Sequence, residues 1–157
     1  MQLILLLQQQ AWVYGGAFVQ GSASQPLFDG ARLANETGSI VVNLSYRLGL
    51  LGWGASRSLA AQHPDEGTGN YGMWDVIAGL EWIRDNIAAF GGNKDNVCAF
   101  GESAGSILLR GFPLDPGLAS RLLKKDLTLT YEQTTSSSRH ARQRTSFRAP
   151  FFRAAQP

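Results

Sequence analysis

The sequence predicts an α/β fold with a mostly parallel sheet and flanking helices, and three observations carry that prediction. Ala11-Trp12-Val13-Tyr14 is a β-prone run of aromatic and branched residues, and Ser39-Ile40-Val41-Val42-Asn43-Leu44 is a second run whose apolar residues do not alternate. A long helical pattern over residues 71–90 separates them from a third run, Asn96-Val97-Cys98-Ala99-Phe100. Strands alternating with helical segments imply parallel pairing through right-handed crossovers.

The elements follow in order. Met1-Gln2-Leu3-Ile4-Leu5-Leu6-Leu7 has the look of a short signal h-region, but it lacks a positive flank and Gln8-Gln9-Gln10 interrupts it. It is also far too short to span a membrane, so a buried strand is the expected use and no transmembrane segment is expected. After Tyr14 come Gly15-Gly16-Ala17-Phe18 and a Gly/Ser-rich loop through Ser24. Adjacent glycines permit a backbone closed to other residues, although an ordinary turn uses them too. Ala31–Asn35 reads as a short helix stopped near Gly38, and the second run then reads as a central strand covered on both faces. Tyr46-Arg47-Leu48-Gly49 opens a glycine-rich loop, and residues 58–69 read as a surface excursion after a short helix.

Between Tyr71 and Phe90, Met73, Val76, Ile77, Leu80, Trp82, Ile83 and Ile87 form a stripe at helical spacing, expected as core. Asn70 is the expected N-cap, and Asp75 lies near the first turn, where negative charge is favoured. Gly79 inside the helix implies close packing over it, Gly91-Gly92 ends it, and Asn93–Asn96 is the turn into the third strand. Cys98, the sole cysteine, is expected to be buried in that strand, and no Cys/His spacing suggests zinc.

The chain carries 44% apolar and 17% charged residues, the balance of a globular protein. The net charge of +2 joins unlike parts, since residues 1–111 sum to −3 and residues 112–157 to +5. Leu127–Tyr131 could form a strand. Beyond it Arg139, Arg142, Arg144, Arg148 and Arg153 interleave with Phe147, Phe151 and Phe152. No recognition module accompanies these arginines, so no nucleic acid partner is expected.

The chemistry centres on Gly101-Glu102-Ser103-Ala104-Gly105, a G-x-S-x-G pattern between a strand and a helical segment. Small residues around the serine allow a tight strand-to-helix turn that projects its hydroxyl at the carboxyl end of the sheet. The N–H of the next residue, Ala104, then faces the position of a developing oxyanion, and Gly15-Gly16-Ala17 is placed to supply further donors. The alternative is a structural turn with Ser103 as a helix cap.

These residues, together with Trp12–Phe18, Val41–Gly49, Gly69–Gly72, Trp82–Ile87 and Phe90–Gly92, make the chain resemble the type-B carboxylesterases, the cholinesterase-like family of the α/β-hydrolase fold. The resemblance covers about residues 11–121. It implies a partial α/β-hydrolase domain at 1–121 that lacks the C-terminal part of the fold, and a basic, disordered or unrelated tail at 122–157. By resemblance Ser103 is the acylated nucleophile, Gly16, Ala17 and Ala104 are the backbone donors of the oxyanion hole, and Glu102 is polar support rather than triad acid. Ala17 stands where the family commonly has a third glycine. The implied activity is hydrolysis of a small-molecule carboxylic ester through an acyl-enzyme, with no metal or organic cofactor. Secretion is the family's possible destination. The family's triad acid and histidine lie downstream of the serine, and no residue here matches either. His140 sits in the basic stretch, His63 precedes Pro64, and Asp115, Asp126 and Glu132 are acids by order alone. The alternative is therefore an inactive truncated fragment, or a non-enzymatic esterase-like scaffold, with no more than trace turnover on short p-nitrophenyl esters.

Overall fold

The computed structural model describes residues 7–62, 68–111 and 128–132, with the backbone alone for Leu7 and for 128–132. Four parallel strands, β1 (Leu7–Val13), β2 (Ile40–Leu44), β3 (Gly92–Glu102) and β4 (Thr128–Glu132), form one sheet in the order β2-β1-β3-β4. The connections carry α1 (Ala31–Thr37), α2 (Gly49–Trp53), α3 (Arg57–Gln62), α4 (Tyr71–Asn86) and α5 (Ala104–Gly111), with short 3-10 turns at Pro26–Phe28 and Ile87–Phe90. The expected parallel sheet with flanking helices is thus present. The expected strand at Leu127–Tyr131 is β4, inside the segment assigned to the tail from sequence, and it pairs with β3 from Cys98–Thr128 to Glu102–Glu132.

The register sorts the side chains. Ala11 lies between Val42 and Ala99, and Val13 between Leu44 and Gly101, on one face; Trp12 lies between Asn43 and Phe100 on the other. Against the first face α4, the 3-10 turn that follows it and α5 bury Val76, Ile77, Leu80, Ile83, Ile87, Leu108 and Leu109, which makes the core. Gly79 does permit close approach: a Cβ there would lie 2.8 Å from Leu44 Cδ2. On the other face Trp12 packs against Phe28 and Phe100, with ring centroids 5.4 and 4.9 Å away.

Several expectations are corrected. Trp82 is not core but 49% exposed, and it contacts the exposed Phe90 ring at 6.0 Å. Its spacing matches the stripe, but its angle around the helix falls at the stripe's margin, next to Ile83 on the buried side. β2 is an edge strand among the described residues, and its first four residues are only partly buried. Asn70 does occupy the N-cap position of α4, but with φ of 58° and no side-chain capping bond. Residues 93–96 lie within β3 rather than before it. They bulge from the ladder, which passes from Leu7–Gly92 to Gln9–Val97, and Asn93 Oδ1 accepts the Asp95 N–H at 3.0 Å. Cys98 is half-buried in β3. The loop after β2 contains α2, which sequence reasoning missed. Met1–Leu6, His63, Asp115, Asp126, His140 and the arginine-rich stretch 139–153 lie outside the described residues.

Asp75 does not serve the α4 dipole alone. It accepts Arg47 Nε and the Arg47 backbone N–H on Oδ2, and Arg47 Nη2 on Oδ1, each at 2.8 Å. Burial pushes the Asp75 carboxyl up, but the Arg47 hydrogen bonds outweigh it and hold it below the ordinary aspartate range. A carboxylate with a depressed folded pKa contributes stability that is complete above its unfolded value and is lost as pH falls through the folded one. Asp75→Asn is therefore expected to lower Tm by a few degrees at neutral pH. Thermal melts of variant and parent should converge as pH falls below about 4. Melting curves that stay equally separated into acid would contradict this assignment.

Candidate active site

The chain order reverses direction between β1 and β3. From β1 the chain leads to β2 on one side, and from β3 it leads through α5 to β4 on the other. In a parallel sheet such a switch opens a crevice beyond the carboxyl ends of the two neighbouring strands. The loop after β1 and the turn after β3 meet there, and they carry Gly15–Phe18 and Ser103.

Ser103 is the single residue between β3 and α5, is exposed, and has φ of 50°. That left-handed backbone costs an ordinary residue about 1–2 kcal/mol, so the surroundings must enforce it. Glycines do so by bringing the turn against β1. A Cβ on Gly101 would lie 2.7 Å from the Val13 carbonyl oxygen, and one on Gly105 would lie 2.7 Å from the Tyr14 carbonyl oxygen. The Ser103 carbonyl accepts both the Ile107 N–H at 3.1 Å and the Ser106 hydroxyl at 2.6 Å, which closes the first turn of α5. The strand–turn–helix read from the sequence is therefore the geometry present.

The β1 loop lies directly against this turn. A Cβ on Gly15 would lie 2.8 Å from the Glu102 carbonyl oxygen and 2.9 Å from Ser103 Cβ, and it would also meet the Glu102 carboxylate. The next three residues all have positive φ: Gly16 at 124°, Ala17 at 52° and Phe18 at 64°. The Gly16 carbonyl accepts the N–H groups of Val19 and Gln20, both at 3.1 Å, so the loop closes on itself. The structure thus brings the loop of Gly16 and Ala17 beside the turn of Glu102, Ser103 and Ala104. Ala17 is exposed, Gly16 and Glu102 are partly buried, and Ala104 is buried at the start of α5.

Alanine at position 17 holds a conformation that suits glycine. Ala17→Gly is expected to stabilise the protein by about 1 kcal/mol, read as a higher denaturation midpoint. A lower midpoint would show that the loop holds Ala17 without strain.

Two tyrosines form the floor behind the loop. Tyr14 donates its hydroxyl to the Tyr46 carbonyl at 3.3 Å, Tyr46 donates to the Tyr14 carbonyl at 2.8 Å, and the rings stack at 4.6 Å. Burial raises both phenols, and the neighbouring Tyr14 and the Glu102 charge raise Tyr46 further. Both hydroxyls therefore act as fixed donors. Each tyrosine stands in a recognisable sequence stretch, but nothing in the sequence announces their pairing across 32 residues.

Among the described residues, no three His, Cys, Asp or Glu side chains cluster as a metal site would require, and no helix is long and apolar enough to cross a membrane. Both histidines of the chain lie outside the described residues.

The chain is similar to known proteins over most of its described length. The model of the carboxylesterase family matches residues 10–128. The chain is 41% identical over 138 residues to para-nitrobenzyl esterase of Bacillus subtilis (strain 168), covering 84% of this chain and 27% of that protein. It is 45% identical over 98 residues to fumonisin B1 esterase of Sphingopyxis macrogoltabida, covering 62% and 18%. It is 46% identical over 95 residues to acetylcholinesterase of Gallus gallus, covering 60% and 12%. A solved structure of a thermophilic PNB esterase superposes with a TM-score of 0.62 at 44% identity, over 72% of this chain and 23% of that one. The chain thus spans about a quarter or less of the length of these relatives.

Proposed function

The chain belongs to the carboxylesterase family, and from that membership we propose that it carries the nucleophile and oxyanion donors of a serine-type carboxylic ester hydrolase. The observation that carries the reading is Ser103, held at φ of 50° between β3 and α5 with the Gly15–Phe18 loop packed against it. Ser103 Oγ attacks the ester carbonyl carbon as its proton passes to a base. The N–H groups of Gly16, Ala17 and Ala104 receive the oxyanion of the tetrahedral intermediate, where one such donor is typically worth about 3–4 kcal/mol. Collapse expels the alcohol, and water releases the acid from the acyl-serine. Glu102 acts as support: its carboxylate packs at Gly15, where it fixes the loop against the turn.

The substrate class that fits is a small carboxylic ester. The para-nitrobenzyl, fumonisin B1 and acetylcholine esterases among the relatives differ in what their names say they cleave. The shared chemistry is the ester carbonyl rather than either flanking group.

A fluorophosphonate probe tests the nucleophile. Mass spectrometry of the folded chain should find the adduct on Ser103, and Ser103→Ala should take none. A folded sample, verified by circular dichroism, that takes no label would overturn the reading in favour of a non-enzymatic esterase-like scaffold.

A further inference from the structure

Phe18 is the least expected residue of the loop. A bulky aromatic residue at φ of 64° is an outlier, and it follows two other residues with positive φ. Such a backbone persists only where neighbouring contacts over-determine it. Phe18 packs at the edge of the core, and its carbonyl and its ring each also reach α2. The Phe18 carbonyl accepts the Gly49 N–H at 2.7 Å, and the Phe18 ring meets the Trp53 ring edge-on, with centroids 4.8 Å apart and planes at 64°.

Trp53 is partly buried and also packs on α4: a Cβ on Gly72, in the first turn of α4, would lie 2.6 Å from Trp53 Cζ2 and 3.0 Å from Cε2. That turn is itself tied down, because Arg47 binds Asp75 of α4 and also donates to the Tyr71 carbonyl at 3.3 Å. The Trp53 indole N–H is buried with no hydrogen-bond partner. Hydrogen bonding therefore does not explain the placement of the indole, and shape does.

We propose that Trp53 is a positioning residue for the oxyanion loop: wedged between Gly72 of α4 and the Phe18 ring, it holds Phe18 in the left-handed conformation and so aims the Gly16 and Ala17 N–H groups. The inference rests on the oxyanion role proposed above for those amides, but the wedge itself is a matter of packing that can be read separately. Aromatic shape is what the position requires. Phenylalanine keeps a ring against Phe18 and removes the unpaired N–H, whereas leucine keeps apolar volume and loses the ring edge.

The test uses the full chain, isotopically labelled, with amide chemical shifts and hydrogen exchange as one readout and the rate of fluorophosphonate labelling of Ser103 as the other. Trp53→Leu should displace the Gly16 and Ala17 amide signals and speed Gly49 N–H exchange about tenfold or more, with the Ala11 and Ala99 amides unmoved. It should slow Ser103 labelling by about tenfold, and Trp53→Phe should restore both readouts. Should Trp53→Leu fail to fold, Phe18→Leu asks the same question from the loop side, because it removes the ring contact and leaves Trp53 seated on Gly72. Unmoved loop amides and unchanged Gly49 exchange in the folded leucine variant, or a phenylalanine variant as perturbed as the leucine one, would overturn the proposal. If the parent chain takes no label while the amides respond as described, the esterase reading falls and the wedge stands. If the parent labels and the leucine variant matches it in rate and in amide signals, the wedge falls and the esterase reading stands.

Discussion

Gly105→Ala is expected to destabilise the protein by about 3 kcal/mol and to abolish fluorophosphonate labelling of Ser103 in the same variant. The added methyl would lie 2.7 Å from the Tyr14 carbonyl oxygen and from the Val13 carbonyl carbon, and closer still to the Val13 carbonyl oxygen. All three are backbone atoms at the end of β1, a central strand that cannot shift without disturbing its ladders to β2 and β3. Relief must come from moving α5 away, and that opens the turn holding Ser103. Gly38→Ala is the control. Its φ of 64° carries the backbone penalty of a left-handed alanine, but nothing lies within 4 Å of the new methyl, so its cost should stay near 1 kcal/mol. Urea midpoints read the two costs, and mass spectrometry reads the label. A Gly105→Ala protein with the parent's midpoint and full labelling would mean that the turn is not built on β1 as described.

The same close approach explains why the turn at Ser103 was legible in the sequence. Gly101 and Gly105 flank Ser103 because a strand, a left-handed residue and a helix must follow one another within van der Waals reach of β1, and few residue types allow it. The parallel sheet was legible for a similar reason: runs such as Val41-Val42 and Val97-Cys98-Ala99 suit strands that pack on neighbours, and helical spacing separates them. Position within the sheet was not. An apolar run at Ile40–Leu44 reads the same whether a further strand lies beside it or not, and β2 is an edge among the described residues. Nor were the long-range contacts that shape the site. The positive φ of Ala17 and Phe18 contradicts their local preference, and the contacts of Phe18 with Gly49 and Trp53 reach more than 30 residues along the chain. Arg47 and Asp75 were each visible as charges, but spacing along the chain gave no sign that they meet.

The helix α4 offers the sharpest contrast between pattern and packing. Ile83→Ala is expected to cost about 3–4 kcal/mol, and Trp82→Ala less than about 1 kcal/mol, although tryptophan is much the larger side chain. Ile83 is 0% exposed and sits in the cluster with Val76, Leu80, Ile87, Leu108 and Leu109, so truncation leaves a cavity that rigid neighbours cannot fill. Trp82 is half-exposed, and truncation sacrifices mainly its tilted contact with Phe90, itself 63% exposed. Solvent enters the space that the indole leaves, so no void forms and the penalty is limited to lost surface contact. Urea denaturation of both variants at equal concentration measures the difference. Costs of similar size would show that Trp82 is buried in solution and that the outer face of α4 is covered by part of the molecule or by another copy.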